Sequence, residues 1–486
     1  MDQTSPEFFL LLLKITSSFH EKRHFFDTFG TTAGLSLFTN HQDCIERFAA
    51  LCIQLARRGI PWRLPLSKWL TRYDCPGEVK QFARHLRSFK IANDIFSGNF
   101  SGMIMPGTPV DPWIDVPVYQ GKKNSWTVPA FPLSLSTGEL MGDGEAALAE
   151  SIKNATSYTA FQPIGYKSLI EGAAHLMARC IVDGRFEGID PQLLPRYGPY
   201  TKLSGADQNS RGLHALAELI GTYSAADLMV SRFLRQYAIP RFERASVFKL
   251  IDIALSSAEL IVADAGKHST IAAMSSPGQI FVDQLSSVGI SALHKASFAY
   301  PDNVDDRYLH LLAHFKKTTQ WTAIPDPESP YAASKVWRSF LSEMVVVPLL
   351  ERRLESKHAL FYKVETMLKD MDEAPLPHVN VINDQLRFEG VPVPVQQAWM
   401  HNMMFSELAH QIFADDPLLR CPRAHHMLPG MKSVDLMIDP SKGSCKGHIA
   451  RGCGSWSATR SLPLPDCLFK LTLQAYGFIP IASVAS

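Results

Sequence analysis

Between Gly98 and Gly144 the chain cannot be helical. Six prolines (Pro106, Pro109, Pro112, Pro117, Pro129 and Pro132) run through this stretch, and each removes a backbone donor and clashes with the preceding helical turn. Trp113, Tyr119, Trp126 and Phe131 lie among them, which makes the stretch too apolar to float in solvent. It is expected to lie extended across a surface, either of its own subunit or of a neighbour.

On both sides the apolar positions return to helical spacing. From Asp43 to Arg58 a stripe of Ile45, Phe48, Ala49, Cys52 and Leu55 recurs at three and four residues, and Glu78 to Phe96 continues in the same style. Helices are further expected over Tyr166 to Val182, Ser210 to Tyr237, Ser246 to Ala265, Gln279 to Ala296 and Val304 to Lys317. Ser329-Pro330 opens another, and Pro348 should kink or restart it. Beyond Pro348 the residues Leu350, Leu354, Phe361, Val364, Leu368 and Met371 continue a heptad that starts at Val347 and is interrupted at one position by Lys357, which predicts one long packing helix and allows a seam between subunits. Val379 to Ile382, Asn383-Asp384 and Gln385 to Phe388 read as a short hairpin, followed by helix over Val395 to Phe413. The expected fold is mainly α: a helical region over 1–97, an extended arm or loop over 98–143, a helical core over 144–374, and a hairpin, helix and loop-rich tail over 375–486.

Lys and Arg number 48 against 47 Asp and Glu, a formal charge of +1. The basic residues come in pairs such as Arg57-Arg58 and Lys316-Lys317, with no polybasic arm, which disfavours a protein that condenses single-stranded nucleic acid through many phosphate contacts. The apolar run Phe8 to Leu13 is preceded by Asp2 and Glu7 and closed by Lys14, a poor secretory leader. Ser5, Pro6 and Glu7 instead suit a helix start. No run reaches the roughly 18–20 apolar residues needed to cross a bilayer. Eight cysteines are too few for a disulfide scaffold in 486 residues. Free thiols in the cytoplasm are expected, without a membrane partner.

Several residue groups have the composition of a site. Cys421, His425, His426, Cys445, His448 and Cys453 offer zinc ligands, in a spacing that fits no standard finger. Asp306, His310 and His314 stand one turn apart, yet the stripe Val304, Tyr308, Leu311, Leu312 and Phe315 puts the histidines on the solvent side, and H-L-L-A-H lacks the glutamate of a zinc protease. Gly443-Ser444-Cys445-Lys446-Gly447 imitates a nucleophile elbow without the strand-to-helix turn. Asp252 and Glu259, on one face of a very apolar helix, read as a narrow solvent stripe rather than an acid–base pair. Asp305-Asp306 and Asp415-Asp416 fit helix termini. Arg232, Arg235, Arg241 and Arg244 would line a basic cleft if the chain were a nucleoprotein for single-stranded RNA. No catalytic residue, metal ligand or cofactor is assigned from these groups.

A helix-dominated body, a long proline- and aromatic-rich extended segment and near-neutral charge suit a protein that packs against copies of itself. In length and in this combination the chain resembles the capsid proteins of small double-stranded RNA viruses, the partitivirus kind. The resemblance implies a mainly helical subunit, a dimer as building block, and a shell enclosing RNA without sequence specificity. Such proteins often begin with a disordered polar segment, whereas this chain is expected to enter a helix at Pro6. The resemblance carries no functional residue. The alternatives are an enzyme built on the Cys/His tail or the Asp306, His310, His314 face, and a nucleoprotein wrapping single-stranded RNA.

Overall fold

The structure is a computed structural model. It describes residues 19–60, 62–63, 66–99, 103–106, 113–120, 125–136, 157–185, 225–238, 242–260, 276–317, 320–324, 330–373, 378–382, 385–389 and isolated positions from 391 to 409. Helix dominates them. The helices are α1 (19–30), α2 (Thr32–Arg57), α3 (Leu66–Leu70), α4 (Gly77–Ser97), α5 (Tyr166–Arg185), α6 (225–235), α7 (Arg244–Ser257) and α8 (Pro277–Ser287). They continue with α9 (Ile290–His294), α10 (Val304–Lys316), α11 (Pro330–Leu341), α12 (Val347–Glu355), α13 (Ala359–Tyr362) and α14 (Val364–Glu373).

The chain forms two compact units. The first comprises Met1–Phe38, Ser88–Leu312 and Leu349–Ala374; the second comprises Thr39–Arg87, Ala313–Pro348 and Pro375–Ser486. In the second unit every residue of the stripe Ile45, Phe48, Ala49, Cys52 and Leu55 is buried. Phe48 stacks on Phe82 at 5.8 Å and meets Trp62 edge-on at 5.4 Å, and Trp62 meets Trp69 at 5.6 Å. Val336, Phe340, Val391, Val395 and Ala398 form another buried group there, with Trp321 and Trp337 packed against it.

In the first unit the proline-rich stretch contributes three strands, β1 (Met103–Pro106), β2 (Ile114–Gln120) and β3 (Ser125–Ser136), joined by β4 (Ser157–Pro163). All pairings are antiparallel, in the order β1-β4-β3-β2. Between Pro117 and Tyr119 the β2–β3 register shifts, as expected where proline has no N–H to give the ladder. In the second unit a hairpin pairs β5 (His378–Ile382) with β6 (Gln385–Glu389).

Three helix expectations need correcting: the helix expected over Ser246 to Ala265 ends at Ser257, where Ala258 turns extended. The segment Gln279 to Ala296 is two helices, α8 and α9, broken at Val288-Gly289. The single long helix beyond Pro348 is three pieces, α12, α13 and α14, because Lys357 and His358 take left-handed backbone (φ 49° and 64°). The expected restart at Pro348 takes the form of a π-helical turn over Ser342–Val346, whose wider winding accommodates a residue unable to donate to the preceding turn.

Among the described residues no helix is long and apolar enough to cross a membrane.

Candidate metal centre and the buried charge network

The joint between α1 and α2 organises the first unit. Thr31 caps α2 by accepting from the Gly34 N–H at 3.1 Å. Just before it, Gly30 permits a close approach: a Cβ there would stand 2.3 Å from Cζ of Phe361. The Gly30 carbonyl accepts from Arg353 Nη1 at 2.9 Å.

Arg353 and Asp252 are each wholly buried and joined through Nη2 and Oδ2 at 2.6 Å. The same Nη2 donates to Ser256 at 2.6 Å, and Arg353 Nε donates to His358 Nδ1 at 3.0 Å. Tyr300 donates to Asp252 at 2.6 Å, and Tyr308 to Ser256 at 2.8 Å. The guanidinium lies between the rings of Tyr308 and Phe361, 4.1 and 4.0 Å from their centroids. Since His358 Nδ1 accepts, its Nε2 carries the proton and donates to Asp305 at 2.6 Å. Burial, reinforced by Arg353 and only partly offset by Asp252 and Asp305, lowers the His358 pKa.

Asp252 therefore does not belong to a solvent stripe. Its apolar-looking helix is buried all round because the guanidinium answering it arrives from Arg353, 101 residues away. A second buried pair adjoins this one: Arg23 and Asp27 are joined at 2.8 Å, and Arg23 Nη1 donates to the Phe361 carbonyl at 3.0 Å. Burial raises the Asp27 pKa, with Arg23 acting against it.

On α1, one turn from this pair, His20 and His24 meet Glu171 of α5. The two Nε2 atoms are 3.0 Å apart, and Glu171 Oε2 is 3.3 Å from His20 Nε2 and 3.2 Å from His24 Nε2. Each side chain is about a fifth exposed. The start of α5 is held by a close backbone crossing, where a Cβ on Gly165 would stand 2.4 Å from the Gly98 nitrogen, and Ser168 accepts from the Gly165 N–H at 2.9 Å. Burial acts to raise the Glu171 carboxyl, but contact with the two imidazoles holds it down to about 2. Burial acts to lower His24, and Glu171, with help from Asp27 and Glu21, outweighs it, so the net shift is upward. Among the described residues this is the one group of three His, Cys, Asp or Glu side chains whose donor atoms converge.

Among the described residues, none of the groups singled out from the sequence supplies such a centre. His310 and His314 are exposed on α10, where His310 Nδ1 pairs with the Asp306 carbonyl at 2.8 Å and His314 lies against Phe315. Asp305 and Asp306 occupy the first turn of α10. Arg232 donates to the Pro132 carbonyl at 2.7 Å and covers the Phe131 ring, and Arg244 donates to Cys180 at 3.6 Å, so both are engaged within the fold. Arg241, Asp415-Asp416, the Cys421 to Cys453 residues and the Gly443 to Gly447 elbow lie outside the described residues. The signal that would have found the α1 centre was present: His20-Glu21-Lys22-Arg23-His24 has the spacing H-E-x-x-H.

No protein-family model, no curated protein and no solved structure matches the chain.

Proposed function

We propose that the chain is a structural protein that assembles with copies of itself, as a coat enclosing RNA. The observation that carries this reading is the set of large apolar side chains turned to solvent: Tyr73 is 98% exposed, Leu309 53%, Tyr237 52% and Met344 50%. Single exposed apolar residues are common on monomers. Leu309, however, shares its face of α10 with the half-buried Leu312 one turn on, an apolar strip that a neighbouring helix can cover. Burying a side chain of that size contributes about 1.5–3 kcal/mol. The Arg353–Asp252 pair at the centre of the charge constellation is sealed from solvent, which fits a frame that holds shape better than a cleft that admits substrate.

Light scattering on the full chain in near-physiological salt, followed by negative-stain imaging, tests the reading. Large closed oligomers are expected, and Leu309→Glu should shift them toward smaller species. A monomer or dimer that never grows with concentration would overturn it. A metal-dependent enzyme is the second reading, favoured by the convergence of His20, His24 and Glu171.

A further inference from the structure

We propose that His20, His24 and Glu171 bind a divalent transition metal, zinc by their chemistry, with one coordination position left open. A tetrahedral ion with ligand bonds of about 2.0–2.1 Å holds neighbouring donors about 3.3–3.4 Å apart. The three donor atoms stand 3.0, 3.2 and 3.3 Å from one another, already close to one face of that tetrahedron. Two imidazole nitrogens and one carboxylate oxygen suit zinc better than magnesium or calcium, which prefer oxygen alone.

Glu171 Oε2 is buried with both imidazole nitrogens within 3.3 Å of it, so the contacts converge on a common point. The helix supplies a second, independent mark. Glu21 follows His20 and is exposed, completing the spacing by which one helix offers two ligands and a carboxylate base for a metal-bound water. One element of a mature site is missing: His24 Nδ1 is buried without an acceptor. Ligating histidines ordinarily donate from this second nitrogen, and its loss typically costs 10–100-fold in affinity.

The probe is cobalt(II), titrated into the full chain after chelator treatment and followed by visible absorption, with zinc competition to rank the metals. The wild type should bind one equivalent with the strong bands of a tetrahedral ion and no thiolate charge-transfer band. His20→Ala/His24→Ala should lose that equivalent, and Glu171→Gln should weaken it by more than about 100-fold, the upper cost of losing mere outer support. Far-UV circular dichroism of both variants separates loss of ligand from loss of fold. If Glu171→Gln folds and binds like wild type, or if binding persists in the double-histidine variant with thiolate bands, the site is not the one proposed.

Discussion

Two clusters of charge in the first unit are built on opposite plans. Around Arg353 each cationic nitrogen finds an acceptor, the surrounding oxygens are donated to by tyrosines, and the central Arg353–Asp252 pair is shut away from water. Around His24 three acceptor-capable atoms crowd one another on side chains that are about a fifth exposed. The first arrangement is complete as it stands and specifies the fold. The second gathers two imidazole nitrogens and a carboxylate oxygen on one point and leaves His24 Nδ1 buried without an acceptor, which suits a ligand set. Completeness, more than the number of charged residues, separates a structural polar cluster from a binding one.

The contrast predicts unequal responses to mutation. The largest should come from Arg353→Ala, which leaves the Asp252 carboxylate buried and unpaired: a loss of about 3–5 kcal/mol in urea unfolding, with Asp252→Leu/Arg353→Met recovering much of it. A loss below about 1 kcal/mol would show the network to be wetter and looser than its geometry. Next, Gly30→Ala must push back the Phe361 ring and should cost about 1–3 kcal/mol, read by the same denaturation. His20→Ala/His24→Ala in metal-free protein should change stability by no more than about 1 kcal/mol; a large loss would make that cluster structural as well.

The smallest effect is in pH dependence, and its sign differs between the clusters. His358 has a lowered pKa, so its contribution is present above the unfolded value of about 6.5 and is lost as pH falls toward the folded value. His24 has a raised pKa, so its contribution is present below about 6.5 and is lost as pH rises through the folded value. Melting temperature against pH should lose part of its acid-side fall in His358→Asn, a residue that tolerates left-handed backbone. In His24→Gln it should lose part of its decline on the other side. The same change in both variants would defeat the distinction.

What the sequence showed and what it hid divide along the range of the interactions concerned. Periodicity found the buried face of α2, the solvent position of His310 and His314, and the helix start at Pro330, because each follows from residues within a few turns. It failed at Lys357-His358, where a heptad continues on paper while the backbone turns left-handed, since the His358 ring is claimed by Arg353, Asp305 and Tyr300. It failed at Asp252 for the same reason. The α1 centre failed differently: His20 and His24 were legible as a spacing, but Glu171 lies 147 residues further along the sequence, and only the fold brings it to them.

Phe361 lends its carbonyl to Arg23 across 338 residues of chain while its ring covers Arg353. On a ribosome adding about 5–20 residues per second, α1 emerges roughly 20–70 s before the segment that completes it. Throughout that interval Arg23 and Asp27 lack the cover that buries them in the finished protein. The N-terminal helix must therefore wait as an exposed, half-satisfied element, and a nascent chain stalled before residue 361 should be a strong chaperone client that is released soon after Phe361 clears the exit tunnel.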